Sequence, residues 1–380
     1  MKIPRLLSNR WLWAIALPLA LLLLPYVFSR VASPWRCVRV YTAPDAAESK
    51  SPGSPTTLRI LTYNIAHGRG MAKSNWEGGD RAERMARLDE IAELLRRVDA
   101  DVVVLNEVDF DSSWSYSVDQ ARYLAEKVGY PYWVEQRNLD FRAVVWKWRF
   151  GNAVLSRYPI ASAQIADFPG YSTWQTALAG KHSGVVCDIQ AGDSVVRVVA
   201  AHLSYRSERL RVQSAAMLVH MARESTLPTI VAGDLNSTPP GFPKSFTDPD
   251  GNNAIATLDQ SELFQRSPTD GPPTESELTF QGSEPYCVID WILIPPDWQF
   301  VEYRVEQSDL SDHRPRDDDG AGRVDHRRDP PRRRHHRAAR AGLRAGRRPA
   351  LRLLHRGVRG PGPRLLLPGG VTPRPARFVA

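Results

Sequence analysis

The sequence predicts an α/β domain with mixed or antiparallel sheets, and three observations carry that expectation. Short apolar, β-branched runs recur between residues 58 and 295, most of them closed by a polar residue or a turn signal. Helical spacing falls between only some of these runs, so the chain lacks the regular strand–helix alternation of a doubly wound parallel sheet. The runs at 183–190 and 195–204 are joined by Ala191-Gly192-Asp193, the short connection of a hairpin.

The elements follow in order. Residues 58–65 (LRILTYNI) alternate and predict a strand ending at Asn64, followed by a Gly-rich loop, HGRG. Asp80 and Glu83 have capping-box spacing, and Met85, Leu88, Ile91, Leu94, Leu95 and Val98 then repeat at helical intervals. Residues 102–109 (VVVLNEVD) are a continuous apolar run of the kind buried in a sheet, ending on Asn106 and Glu107. A second helix is expected over Val118–Val128, stopped by Gly129 and Pro131. Further strands are expected in GNAVLSRYPI (151–160), the hairpin, TIVAGDLN (229–236) and VIDWILIP (288–295), with a helix at Ser207–Arg223 and mostly irregular chain over 237–285.

The 380 residues suit one catalytic domain with appendages. Residues 1–29 are expected to be a signal anchor. Lys2, Arg5 and Arg10 precede the uncharged run Trp11–Phe28, whose length as a helix is about 27 Å, enough to cross a bilayer once. A cleaved signal peptide and a buried core helix are the alternatives, but the run is longer than a usual signal core and no clean small-residue cleavage site follows. A membrane-anchored chain with an extracytoplasmic catalytic domain is therefore expected, no protein partner is inferred, and a monomer is expected. Residues 30–57 are expected to be a linker, Ser-, Pro- and Ala-rich over 43–57, with the catalytic domain over 58–315. The formal charge of +8 is segregated: residues 314–380 hold 19 Arg, 5 Asp and no Lys, whereas residues 58–313 carry a net −11. An acidic main domain repels polyanions at long range, so the high pI is no argument for nucleic-acid binding. Three cysteines, Cys37, Cys187 and Cys287, are too few for a disulfide scaffold, and Cys187 and Cys287 are expected as separate buried thiols.

Asn64, Glu107, His202, Asp234, Asn236, Asp290, Asp312 and His313 share one property. Each lies in or just beyond an apolar β run, where a buried carboxylate or imidazole is costly without a partner. Any one of them is accounted for as a cap or turn residue. Eight in succession point instead to a cluster at one sheet edge. Carboxylates with an amide suit Mg²⁺ or Mn²⁺, and with an imidazole and an oriented water they imply hydrolysis of a phosphate ester.

The blocks TYNIAHG, VVLNEVD, GNAVLSRYPI, AAHLS, GDLNSTP, IDWIL and SDHRP resemble, in order, the signatures of the endonuclease/exonuclease/phosphatase superfamily. The resemblance implies a four-layer α/β sandwich of two mixed, mostly antiparallel sheets with outer helices, and a divalent-metal-dependent phosphoesterase. It implies that Asn64, Glu107 and Asp312 hold the metal, that Asp234 orients or deprotonates water, and that Asn236 binds phosphate. His313, fixed by Asp290, is then the general acid or electrostatic clamp, and His202 the second imidazole. AAHLS favours the deoxyribonuclease, sphingomyelinase and inositide-phosphatase branches, with a phospholipid-type or nucleic-acid phosphodiester as substrate. Asn152 and Arg206 are further candidates for substrate contact, and His67 lies close enough to matter, while His182 and His220 are expected to be structural. Residues 137–150 interleave Arg142, Lys147 and Arg149 with Phe141, Trp146, Trp148 and Phe150. This stretch stacks bases, touches lipid headgroups or forms a hairpin with one buried aromatic face.

From Arg316 the chain lacks Lys, Ile, Ser, Asn, Gln, Glu, Trp and Tyr. Residues 316–380 are expected to be a disordered Arg/Pro-rich tail, and a composition limited to residues with GC-rich codons favours an out-of-frame translation over a basic binding tail. DNA sequence across the junction separates the two. The family's final apolar strand is then expected to be lost after His313, which would leave a catalytically impaired, binding version of the fold.

Overall fold

The computed structural model describes residues 10–32, 37–44, 46, 55, 57–143, 146–172, 176, 180–269 and 272–319. The basic leader before Arg10, most of the linker over 43–57 and the tail beyond 319 lie outside these residues.

Two sheets face each other. The first contains β1 (Val38–Thr42), β2 (Arg59–Asn64), β3 (Val102–Asp109), β4 (Tyr132–Ala143), β5 (Trp146–Ser156), β12 (Glu302–Val305) and β13 (Arg316–Asp319), in the order β1-β4-β5-β3-β2-β13-β12. The second contains β6 (Ile160–Ala166), β7 (Gly184–Ala191), β8 (Ser194–His202), β9 (Thr229–Asp234), β10 (Gln265–Arg266) and β11 (Asp290–Ile294), in the order β10-β11-β9-β8-β7-β6. Among the described strands, only β2–β3 and β8–β9 pair in parallel. Alternation along the strands supplies the inner core. Ile60, Val102, Val104 and Val154 from one sheet meet Val185, Cys187, Val198, Ile230 and Ile292 from the other.

The outer faces bury helices. α2 (Arg81–Val98) and α3 (Gln120–Val128) place Leu88, Ile91, Leu95 and Leu124 with Leu61, Tyr63 and Leu105 of the first sheet. α4 (Glu208–Glu224) and α5 (Ala254–Gln260) place Ala215, Leu218, Ile255 and Leu258 with Val199, Val231 and Trp291 of the second. The expected capping box opens α2: Asp80 accepts from the Glu83 amide at 2.9 Å and Glu83 accepts from the Asp80 amide at 2.8 Å. The result is the expected sandwich, helix–sheet–sheet–helix. α5, inside the stretch expected to be irregular, is capped by Asn253 and too short to carry a strong periodic signal. Cys187 and Cys287 are both buried and free, as expected.

Three expectations need correction. Among the described residues no helix is long and apolar enough to cross a membrane. The segment expected to span is α1 (Arg10–Ala32), which carries Pro18 and Pro25 inside it, and near its end the Ser29 hydroxyl accepts from the Arg142 amide of β4 at 2.8 Å. The domain also starts before Leu58, because Val38–Thr42 pairs with β4 from Val38↔Gln136 to Thr42↔Tyr132. VRVYT is β-branched and alternating, a strand signal set beside linker composition.

The third concerns the final strand, which is present. β13 lies between β2 and β12, pairing Arg316↔Thr62 and Arg316↔Val305. Backbone ladders ignore side-chain identity, so a charged run can close the gap if its side chains find partners. Arg316, fully buried, lies over Trp291 (4.7 Å) and Tyr303 (4.3 Å) and donates to the Asp290 and Ser267 carbonyls. Asp317, 1% exposed, pairs with Arg304 at 3.1 Å. Burial pushes its carboxyl up to about 6, against the pull of Arg304 and Arg59. The folded state thus binds this proton more tightly than the unfolded chain, whose ordinary value is 3.8. The penalty is absent below about pH 4 and grows as pH rises through 6, reaching about 3 kcal/mol. Denaturant titrations at pH 4 to 7 are expected to show this downward slope in the native chain. Asp317→Asn is expected to flatten it, and an unchanged slope would contradict the burial of this carboxylate.

Candidate active site

The strand ends deliver the predicted residues to one edge. β8 and β9 run in parallel, so their C-terminal residues lie side by side, His202↔Asp234. β11 runs antiparallel to β9, so its first residue joins the same row, Asp290↔Asp234. Gly233 makes this row possible: a Cβ there would lie 1.8 Å from the Ala201 carbonyl oxygen, and its φ is +143°. From the other sheet, β2 ends on Asn64. β3 is irregular between Leu105 and Val108, which sets Glu107 at φ 51°. Asn236 also has positive φ, 51°. Such conformations cost energy, and two of them fall on expected site residues.

His313 is the hub. Its Nδ1 is 2.9 Å from Asp290 Oδ2, its Nε2 is 3.4 Å from Asn64 Nδ2, and Nε2 is 3.7 Å from Asp234 Oδ2. Asn64 donates to Asp234 Oδ2 at 3.1 Å, and the Asn236 amide donates to Asp234 Oδ1 at 2.9 Å. His202 Nε2 is 3.6 Å from Asp234 Oδ2. All but Asn236 in this group are nearly or fully buried. Burial opposes charge on His313, but Asp290 and Asp234 outweigh it and push the imidazole up to about 10. Burial raises the Asp234 carboxyl, reinforced by Asp290 and opposed by His313. His202 goes the other way: burial, then His182, holds it well below the ordinary histidine value, so it is neutral.

Glu107 and Asp312 share one partner. Arg69 Nη1 donates to Glu107 Oε2 at 3.1 Å and Nη2 to Asp312 Oδ2 at 2.8 Å. His67 Nε2 lies 3.4 Å from Glu107 Oε2, while its Nδ1 is 2.8 Å from buried Asp109. Burial disfavours the charged Glu107, yet His67, His202, Arg69 and His313 together hold its carboxyl far below the carboxylate range.

The donor set fits a divalent cation. Two carboxylates converge on a single guanidinium, which is a built-in stand-in for a cation, while the Asn64 side-chain oxygen accepts from the Ala66 amide at 3.0 Å. Asp234, Asp290 and His313 also bring ligand atoms within 4.8 Å of one another. There Asp290 and the imidazole already satisfy each other, as Arg69 satisfies Glu107 and Asp312.

Two expected contacts do not face the site. Asn152 is fully buried: it accepts from Asn106 at 2.8 Å and donates to Gln136 and the Ser183 carbonyl. Asn106 in turn accepts from the Asp234 amide at 2.8 Å, so Asn152 braces the site from beneath. Arg206 lies exposed over the Tyr171 and Tyr205 rings and donates to the Tyr205 hydroxyl, on the rim. Arg69 and His182 join the site without being expected there. Arg69 has a signal, a basic side chain on the Gly-rich loop five residues beyond Asn64. His182 has none, and its ring packs edge-on against His202 with centroids 4.5 Å apart.

A family model described as Endonuclease/Exonuclease/phosphatase family matches residues 61–313. The chain belongs to this family. Its fold is similar to that of an endonuclease/exonuclease/phosphatase family protein from Bacteroides thetaiotaomicron (14% identity, 70% of this chain and 98% of that one, TM-score 0.52). It is also similar to a mannosyl-6-phosphatase from Bacteroides thetaiotaomicron VPI-5482 (15%, 69% and 99%, 0.50) and to ANGEL2, a 2′,3′-cyclic phosphatase (15%, 76% and 99%, 0.50). No curated protein sequence matches. Family membership gives a phosphoesterase fold, in a family whose enzymes typically use a divalent metal.

Arg69 offers a direct test of that cation site. Arg69→Ala leaves Glu107 and Asp312 facing each other uncompensated, which is expected to cost about 2 kcal/mol in EDTA. Adding Mg²⁺ is expected to raise the melting temperature of the variant more than that of the native chain. Equal shifts in the two proteins would contradict a shared position.

Proposed function

We propose that this family member hydrolyses phosphoesters, with a phospholipid-type or nucleic-acid phosphodiester as substrate. The observation that carries the reading is the buried Asp290–His313–Asp234 row, set against Asn64 and reached from the Glu107–Asp312 pair. Glu107, Asp312 and Asn64 would hold Mg²⁺ or Mn²⁺, which when bound supplies positive charge to a phosphoryl oxygen. Asp234, whose carboxyl is raised by burial, takes the proton of the attacking water, and Asn236 and Asn64 fix its two oxygens. The water oxygen forms the new bond to phosphorus as the ester bond opposite breaks. His313, an imidazolium at neutral pH because Asp290 grips its Nδ1, stabilises the phosphoryl charge and gives its proton to the departing oxygen. His202, neutral, donates to a phosphate oxygen without adding charge.

The test is a panel of bis-nitrophenyl phosphate, plasmid DNA and sphingomyelin, each with Mg²⁺ and with EDTA. Hydrolysis that needs the metal is expected on at least one of them, and none on any would refute the reading. Glu107→Gln and His313→Ala are each expected to lower kcat at least 100-fold while the fold stays intact by circular dichroism. Near-normal turnover in either variant would overturn the role of the residue replaced.

We also propose that α1 attaches the domain to a lipid surface. Leu12, Trp13, Ile15, Leu17, Leu19 and Leu21 are all about half exposed or more, apolar side chains on every side of the helix. The full chain is expected to float with phosphatidylcholine vesicles, and a chain lacking residues 1–36 is expected to remain behind. Equal flotation would contradict the attachment.

A further inference from the structure

We propose that the exposed indole of Trp76, propped edge-on against Trp114 with Trp148 stacked behind it, binds the face of a planar aromatic ring carried by the substrate, a nucleobase attached beyond the scissile phosphate. This rests on the phosphoesterase reading and narrows its substrate class.

This indole wall comes from three separate segments. Trp148 lies on β5, Trp114 in the 3₁₀ turn Ser113–Ser115, and Trp76 in the loop before α2. Trp114 stacks on Trp148 (centroids 6.1 Å, planes 20° apart), and Trp76 meets Trp114 edge-on (6.1 Å, 81°). Trp76 is 62% exposed, and neighbouring Trp146 is 57% exposed. A hairpin with one buried aromatic face accounts for Phe141 and Trp148, stacked at 5.1 Å, but leaves these two indoles uncovered.

The wall is continuous with the acid end of the site. The His67 ring lies edge-on to both Trp114 (6.0 Å) and Phe150 (5.2 Å), and the same ring reaches Glu107 at 3.4 Å. Buried Asp109 fixes the joint, taking His67 Nδ1 on one oxygen and the Trp114 indole N–H on the other, each at 2.8 Å. A phosphate held at Glu107 therefore has an aromatic surface one imidazole away.

Charge decides what ring that surface accepts. The cations interleaved with the aromatics are spent on acids: Lys147 on Asp111, and Arg149 on Asp140 (2.9 Å) and Asp111 (3.4 Å). A long polyanion needs a track of cations, and these pairs withhold one. A sugar needs polar partners for its hydroxyls. Here the Trp114 N–H is taken by Asp109, the Ser113 hydroxyl by the Lys147 amide, and the Ser112 hydroxyl by the Arg149 backbone. In the wall, the ring left uncovered is that of Trp76, whose exposed face suits a base recognised by stacking.

The test uses the full chain in EDTA, so that binding is read without hydrolysis. Calorimetry with adenosine 5′-monophosphate is expected to give saturable binding at least tenfold tighter than with ribose 5-phosphate. Trp76→Ala and Trp114→Ala are each expected to weaken nucleotide binding about tenfold, and the exposed Trp76 serves where loss of Trp114 disturbs the fold. With Mg²⁺, the ratio of KM for a ring-less ester to KM for a nucleoside ester is expected to fall about tenfold in the same variants. Equal affinity for the two phosphates, unchanged nucleotide binding in both variants, or vesicle binding lost in both with no nucleotide effect would each overturn the proposal. Nucleotide binding without hydrolysis would sink the phosphoesterase reading alone. Hydrolysis with equal KM for ring-bearing and ring-less esters would sink this one alone.

Discussion

The contact on which the arrangement of the site edge depends is His313 Nδ1 against Asp290 Oδ2, 2.9 Å, inside the protein. It ties the segment entering β13 of one sheet to the first residue of β11 in the other. Neither partner tolerates burial alone: a lone carboxylate would take up a proton and a lone imidazole would lose one. Together they hold a charged ring beside Asp234 and Asn64, so one ion pair serves sheet registry and chemistry alike. The two sheets must meet at this edge for either to work.

Electrostatics then divides the edge into two halves. Around Asp234, burial and neighbouring acid favour protons, which gives a base active near neutrality and an imidazolium beside it. Around Glu107, the charges of neighbouring imidazoles, His67 first, and of the Arg69 guanidinium strip the proton away, so that acid stays ionised. One half favours protons and the other is held ionised. Arg69, bridging Glu107 and Asp312, offsets one of their two negative charges.

Much of this is legible in the sequence because strands and their end residues are local features. The seven polar blocks, the capping box of α2 and the hairpin at Gly192 each depend on a few adjacent residues. What escapes is what only folding brings together. β1 hides within linker composition because its evidence, pairing with β4, lies almost a hundred residues away. Asn152 looks like a ligand because sequence shows a polar residue in an apolar strand but not the Asn106 that consumes it. His182 becomes visible only by its packing on His202. Arg69 is within reach of sequence, since a cation on a tight Gly-rich loop beside Asn64 can only point into the site or out to solvent.

β13 poses the hardest constraint. Its neighbours β2 and β12 need a strand between them, and the backbone of Arg316–Asp319 pairs with both. Its side chains are another matter. Arg316 is accepted by lying between Trp291 and Tyr303, an aromatic slot that an apolar side chain would fill with no desolvation cost. Asp317, opposite Leu61 and Arg304, is accepted only against its own acidity. A buried charge that must be compensated on each side is weak evidence for stability, since a well-packed apolar residue of similar volume is often equal or better. The site ahead of β13 is built with partners for its charges, whereas β13 borrows partners from a core arranged around it. The change in texture that begins at Arg316 is therefore not confined to the tail. It enters the sheet one strand from its edge, just after Asp312 and His313, and the geometry of both rests on a strand whose backbone fits better than its side chains do.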